Sequence, residues 1–121
     1  MSEYVAIIGS RNWTYLQAIN DYIHQLPRDT VVISGGAEGV DKVAIGAAIA
    51  LKMKTIVIPA QWETWGKQTG HMRNRHIVHY ADRIVAFWDG KSKGTALTID
   101  IANNNYVPVK VYRPRDFQGE S

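Results

Sequence analysis

The sequence predicts an α/β fold: a doubly wound three-layer sandwich around a mainly parallel sheet of five strands. Short apolar runs alternate along the chain with stretches of helical periodicity, which is typical of repeated strand–helix units with right-handed crossovers. Three of these runs lead into glycine-bearing turns that open a helical stretch, at residues 9–13, 34–41 and 88–95. We expect the strand order 3-2-1-4-5, with the first strand near the centre.

The first strand is predicted over residues 4–8, because an unbroken apolar run indicates a strand buried on both faces. The first helix is predicted over residues 15–26. Thr14 and Gln17 have the spacing of a capping box, and Pro27 ends the helical pattern.

The same patterns predict the remaining elements. The last strand, residues 107–112, alternates apolar and polar residues around Pro108, which indicates an edge strand. Residues 1–112 are predicted to form a single domain, and residues 113–121 a polar C-terminal tail that frays. The other predicted strands are 30–33, 54–58 and 83–87, and the other predicted helices are 41–52, 72–80 and 95–102.

Composition narrows the classes of partner. The chain has 121 residues, 45% hydrophobic and 21% charged, with a formal charge of +3. This mild charge suits an anionic ligand but falls short of the basic stripe of a dedicated nucleic-acid binder. No apolar run approaches the length of a membrane span, so we expect a cytoplasmic protein without membrane contact.

The glycine-bearing turns predict a ligand site, because they meet at the carboxyl edge of the sheet beside the switch point between strands 1 and 4. Gly9, Ser10 and Arg11 bring backbone N–H groups, a hydroxyl and a guanidinium to the start of a helix, where they suit a phosphate. The alternative is a structural turn with a surface arginine. Gly94 and Thr95 open another helix in the same way.

The turn over residues 34–41 predicts further backbone donors. It lacks the Gly-Lys-Ser/Thr ending of a P-loop. Asp41 either accepts a hydrogen bond from a ribose hydroxyl or caps the second helix. The residues predicted to contact phosphate or ribose are Gly35, Gly36, Ala37 and Gly39.

Tryptophans and cations are concentrated over residues 62–75. Trp62 and Trp65 either stack on a base or form a subunit interface, and the same alternatives apply to Trp13. Arg73 and Asn74 are predicted ligand contacts. These features predict a homo-oligomer, a dimer or larger.

No cofactor and no metal are predicted. His76 and His79 share a helical face, but the chain has no cysteine and no nearby carboxylate pair to complete a ligand set. No Ser-His-Asp order with a nucleophile elbow is present either. Binding groups therefore outnumber catalytic ones.

Together these motifs resemble the YspA-like branch of the SLOG superfamily, over about residues 5–111. The resemblance implies a Rossmann-like domain related to DprA and to the "lonely guy" cytokinin-activating enzymes. It also implies a nucleotide or a nucleotide-derived signal as ligand, in some members within phage defence. The motifs that carry it are residues 9–13, 35–41, 62–75 and Gly94-Thr95.

One departure bears on catalysis. The phosphoribohydrolase branch is similar to Pro-Gly-Gly-x-Gly-Thr-x-x-Glu, and alignment on Gly94-Thr95 places Thr98 where that glutamate stands. Asp100 lies about 200° further around the helix.

The sequence thus favours a nucleotide-like small molecule, bound at the carboxyl edge of the sheet, over two alternatives. One alternative is a hydrolase that cleaves an N-glycosidic or phosphate bond, with Asp41 or Glu38 as the acid–base group. The other is DprA-like binding of single-stranded nucleic acid, which the low net charge disfavours.

Overall fold

The computed structural model describes residues 2–36, 38–59 and 69–117. Five strands form one sheet: β1 (Tyr4–Gly9), β2 (Val31–Ser34), β3 (Lys54–Val57), β4 (Arg83–Phe87) and β5 (Val109–Tyr112). The described helices are α1 (Leu16–Gln25), α2 (Val40–Ala50), α3 (Thr69–Tyr80) and α4 (Lys93–Asn104), followed by a 3-10 helix, Pro114–Phe117.

The sheet has the predicted topology. Its order is β3-β2-β1-β4-β5, and every neighbouring pair is parallel. The doubly wound α/β class and the 3-2-1-4-5 order are therefore confirmed. Within the described ranges, no helix is long and apolar enough to cross a membrane.

The central strand β1 divides the core into two layers. Val5 and Ile7 pack into the layer that contains α1 and α2. Ala6 and Ile8 pack into the opposite layer, which contains Ile77 and the rest of the apolar face of α3 and α4. Side chains alternate across a strand, so an unbroken apolar run is what a strand covered on both faces requires.

Two local predictions were wrong. Helix α1 has Tyr15 as its N-cap and no side-chain cap, since Gln17 donates instead to Asp21 at 2.8 Å. The C-terminal segment does not fray at once: Pro114–Phe117 form a 3-10 helix, and the Phe117 ring lies 5.8 Å from that of Trp13. Apolar packing outweighs the polar composition of this segment.

The end of β1 and the start of α2 are in unusually close contact. A Cβ atom on Gly9 would lie 2.5 Å from Cγ2 of Val40, which is fully buried. Glycine at position 9 thus lets α2 begin directly against the carboxyl end of β1. This contact brings the first and second glycine-bearing turns together.

We predict that Gly9→Ala destabilises the protein by about 1–3 kcal/mol, because the added methyl overpacks a filled core site. The matched control is Gly46→Ala. Nothing lies within 4 Å of a Cβ at this exposed helical position, so the change should stabilise by about 0.5–1 kcal/mol. Urea unfolding measures both. Equal effects of the two variants would contradict the close-contact interpretation.

Candidate functional site

A cavity of about 450 Å³ opens at the carboxyl edge of the sheet, where the chain leaves β1 and β4. Its floor includes the apolar side chains of Ile8 and Ile77, both buried. The described residues that line its walls are Gly9, Arg11, Asn12, Asp41, Arg73, Asn74, Asp89, Lys91, Ser92, Gly94, Thr95 and Thr98. The cavity therefore lies at the predicted switch point.

Ser10 joins the first and third turns instead of facing the cavity. It is 1% exposed, its N–H donates to the Phe87 carbonyl at 3.0 Å, and its Oγ accepts from the N–H of Asp89 at 3.1 Å. The neighbouring Arg11 is exposed and lines the cavity. Of these two predicted contacts, the structure brings the guanidinium to the cavity and gives the hydroxyl a structural role.

The third turn is fixed by its own carboxylate. Oδ1 of Asp89 accepts hydrogen bonds from the backbone N–H groups of Lys91 and Ser92, both at 2.8 Å. The hydrogen bonds from Ser92 and Lys91 hold the pKa of Asp89 below its ordinary value. The carboxylate is thus engaged in its own turn.

The N-terminus of α4 faces the cavity without a side-chain cap. Ser92 is the N-cap residue, and its side chain makes no capping hydrogen bond. Ser92, Gly94 and Thr95 all line the cavity. The first N–H groups of a helix have no partner within the helix, and together with the helix dipole they favour an anion.

The second turn meets α3 at Gly35. Its N–H donates to Oδ2 of Asp41 at 3.2 Å, and its carbonyl accepts from Nη1 of Arg73 at 3.3 Å. Nε of Arg73 donates to Oδ1 of Asn74 at 3.1 Å. Asp41 lies in the first turn of α2, after the N-cap Gly39. Asp41 is therefore not the N-cap residue itself, and the ribose contact predicted for it stays a prediction.

The glycines of the second turn shape the backbone of that turn but do not line the cavity. Gly36 and Gly39 have φ of +74° and +84°, the left-handed region that favours glycine. Neither they nor Gly35 are among the described residues that line the cavity. Ala37, Trp62 and Trp65 lie outside the described residues, so the predictions made for them stay predictions.

Trp13 is a core residue, which corrects the expectation of base stacking or an interface. It is 4% exposed, its ring lies 5.4 Å from Phe87 and 5.8 Å from Phe117, and its indole N–H donates to the Tyr15 carbonyl. The sequence shows Trp13 beside the first turn. Its ring contacts come from Phe87 and Phe117, which are both distant along the chain.

Arg113 packs against the third turn. The Arg113 guanidinium lies 5.0 Å from the centre of the Trp88 ring and packs against Gly90, whose φ is +85°. The Trp88 indole donates to the carbonyl of Ser92 at 3.0 Å. Sequence reasoning missed both this support and the role of Asp89. For Asp89, the Asp-Gly-Lys-Ser order was an available turn signal.

The strand order and its flanking helices define the class: a Rossmann-like α/β domain. The family model for DNA recombination-mediator protein A matches residues 1–64, more than half of the chain. This chain belongs to that family. The predicted relationship to DprA is confirmed, while the narrower YspA-like assignment stays a prediction.

Individual relatives support the family membership and the fold. The Gene 61 protein of Mycobacterium phage D29 is 36% identical in an alignment 115 residues long, and the match covers 87% of this chain and 92% of that protein. DprA from Streptococcus pneumoniae has a similar fold, with a TM-score of 0.79 at 21% identity over 90% of this chain. DprA from Helicobacter pylori, for which a single-stranded DNA binding mode is described, gives 0.72 at 24% identity over 90%. This chain spans 50% and 64% of these two structures.

We predict that Asp89→Asn destabilises the protein at neutral pH and much less in acid. When folding lowers the pKa of a carboxyl group, the ionised group stabilises the folded state at every pH above its unfolded-state pKa, about 3.9. This stabilisation is lost as the pH falls through the folded-state pKa. Urea unfolding of both proteins from pH 7 down to the acid limit measures it. A free-energy difference that stays constant with pH would refute the electrostatic origin.

Proposed function

We propose that this protein binds single-stranded DNA, with one nucleotide unit seated in the edge cavity. Membership of the DNA recombination-mediator family favours this ligand. DprA from Helicobacter pylori, whose fold is similar, binds single-stranded DNA. The observation that carries the proposal is the cavity itself, which combines cations, an uncapped helix N-terminus and an apolar floor.

The charges of the cavity support a phosphate. The described lining includes three cations, Arg11, Arg73 and Lys91, and two carboxylates, Asp41 and Asp89. Asp41 accepts the backbone N–H of Gly35, and Asp89 accepts those of Lys91 and Ser92. Both carboxylates are thereby stabilised in place, while the exposed Arg11 and the N-terminus of α4 supply groups that favour an anion.

The floor supports the uncharged part of a nucleotide. Ile8 and Ile77 present apolar surface between the charged walls, and the nearly buried Asn74 provides an amide beside them. Apolar surface with a few placed polar groups is typical of small-ligand sites. A nucleotide unit can place its phosphate against the charged wall and its sugar or base on the apolar floor.

A nucleotide or nucleotide-derived small molecule is the second candidate. The observation that favours it is the volume, about 450 Å³, which lies within the range of small-molecule pockets. The same groups would bind its phosphate. The two candidates differ in whether affinity increases when further nucleotides are attached.

Hydrolysis has less support at this site. Thr98, at the position of the phosphoribohydrolase glutamate, is 2% exposed and donates to the Gly94 carbonyl at 3.1 Å. Asp100, the next carboxylate along α4, is exposed and is not among the described residues that line the cavity.

We predict that Arg11→Ala weakens binding of a fluorescent oligothymidylate by about tenfold or more, because one charge-assisted phosphate contact is worth about 1.5–3 kcal/mol. The slope of log affinity against log salt should fall by about 0.7, one neutralised phosphate on a single strand. Fluorescence anisotropy at several salt concentrations, with AMP and ADP as competitors, measures both.

The matched control is Arg28→Ala. Arg28 is exposed after α1, where its Nη1 donates to the carbonyls of His24 and Leu26, and it is not among the lining residues. Equal losses in the two variants would show non-specific charge attraction instead of a site. Strong binding of a mononucleotide, with no gain for the oligonucleotide, would favour the second candidate.

A further inference from the structure

A second groove lies at the C-terminal ends of α3 and α4. Its volume is about 470 Å³, close to that of the edge cavity. Helix α3 contributes to both: Asn74 and Ile77 line the cavity, and Arg75 and Val78 line the groove. The described residues that line the groove are Arg75, His76, Val78, His79, Ala81, Ile101, Asn105 and Val107.

The two sites also adjoin along α4. Thr98 lines the cavity and Ile101 lines the groove. Three helical residues advance about 4.5 Å along the axis. Both side chains are nearly buried, so a strand would reach the groove over the surface of the layer formed by α3 and α4.

The groove is suited to a polyanion. The sequence of helix α3 contains no acidic residue. Among the described residues that line the groove, Arg75, His76 and His79 are basic and none is acidic. Apolar walls from Val78, Ile101 and Val107 separate these groups, so the groove offers surface for rings as well as for phosphates.

Two exposed tyrosines are direct sequence neighbours of residues that line the groove. Tyr80 lies between His79 and Ala81 and is 56% exposed, and Tyr106 lies between Asn105 and Val107 and is 94% exposed. Large aromatic rings left in water next to a basic groove are what single-stranded nucleic acids use as stacking platforms.

The backbone of Tyr106 ends helix α4 and sets where the ring lies. Its φ is +60°, a conformation that costs free energy for a residue with a bulky side chain. Glycine or asparagine normally occupies this position after a helix, and three asparagines directly precede it. Two backbone hydrogen bonds close the end of α4 around this residue: the N–H of Tyr106 donates to the Asn103 carbonyl at 3.3 Å, and the N–H of Val107 donates to the Ala102 carbonyl at 2.9 Å. The backbone motif therefore holds Tyr106 in place while its ring stays exposed.

We propose that the groove is the second segment of a single-stranded DNA path, in which bases that leave the edge cavity stack on Tyr106 and Tyr80 while Arg75 contacts a phosphate. This inference rests on the proposed function and extends it. It assigns a role to a surface that lies outside the cavity, and it predicts a binding site longer than one nucleotide.

The test compares oligothymidylates of about four and about twelve nucleotides by anisotropy, on wild type and variants. Tyr106→Gly should weaken binding of the longer strand about tenfold, the loss of one stacked base, and leave the shorter strand unchanged. Tyr106→Phe should retain wild-type affinity. Since glycine relieves the strained backbone, the melting temperature of Tyr106→Gly should not fall, which separates lost stacking from lost folding.

The charge of the groove is tested with a matched pair. Arg75→Gln should selectively weaken the longer strand, whereas Lys52→Gln should not. Lys52 is exposed after α2, in the other helical layer. A longer strand can bind in more positions, which raises its apparent affinity. Variants are therefore compared at the same strand length.

Each outcome has a definite meaning. If wild type and the groove variants bind the longer strand equally, the second segment is overturned and the cavity proposal stands. If wild type binds neither strand, both proposals fall. If Tyr106→Gly changes self-association in sedimentation while DNA binding stays constant, the groove serves a second copy of this chain, and the DNA path is overturned.

Discussion

The structure depends on the central position of β1 and its burial on both faces. Val5 and Ile7 close one layer and Ala6 and Ile8 the other, all nearly inaccessible to solvent. After β1 the chain passes to the layer of α1, and after β4 it passes to the layer of α4. Adjacent strands whose following helices lie on opposite faces leave a gap at their carboxyl ends. The cavity is therefore a consequence of strand order, and the side chains only determine what it can hold.

The site separates two kinds of polar group. Ser10, Asp41 and Asp89 are engaged with backbone groups and hold the three turns in register. Arg11 and the residues at the N-terminus of α4 line the cavity. Internal hydrogen bonds to the carboxylates lower the cost of placing negative charge beside a phosphate site. In this way a domain of small net charge presents a local surface suited to an anion.

Much of this arrangement could be predicted from the sequence, because it follows from local patterns. The apolar runs predicted the strands and their order, and the glycine-bearing turns predicted which loops would meet. The predictions went wrong at Ser10 and Trp13. Their surroundings are set by Asp89 and Phe117, which are far along the chain. Local spacing carries no information about such partners, so a residue beside the site cannot be told from one that faces it.

The contact between Gly90 and Arg113 has a consequence for the divergence of this family. Glycine at position 90 satisfies two demands, a left-handed backbone and room for the guanidinium that stacks on Trp88. Where a relative carries a small residue in place of Arg113, only the first demand remains, and asparagine tolerates that conformation. The two positions should therefore change together among homologues, and Trp88, which loses its covering cation in the same event, should change with them.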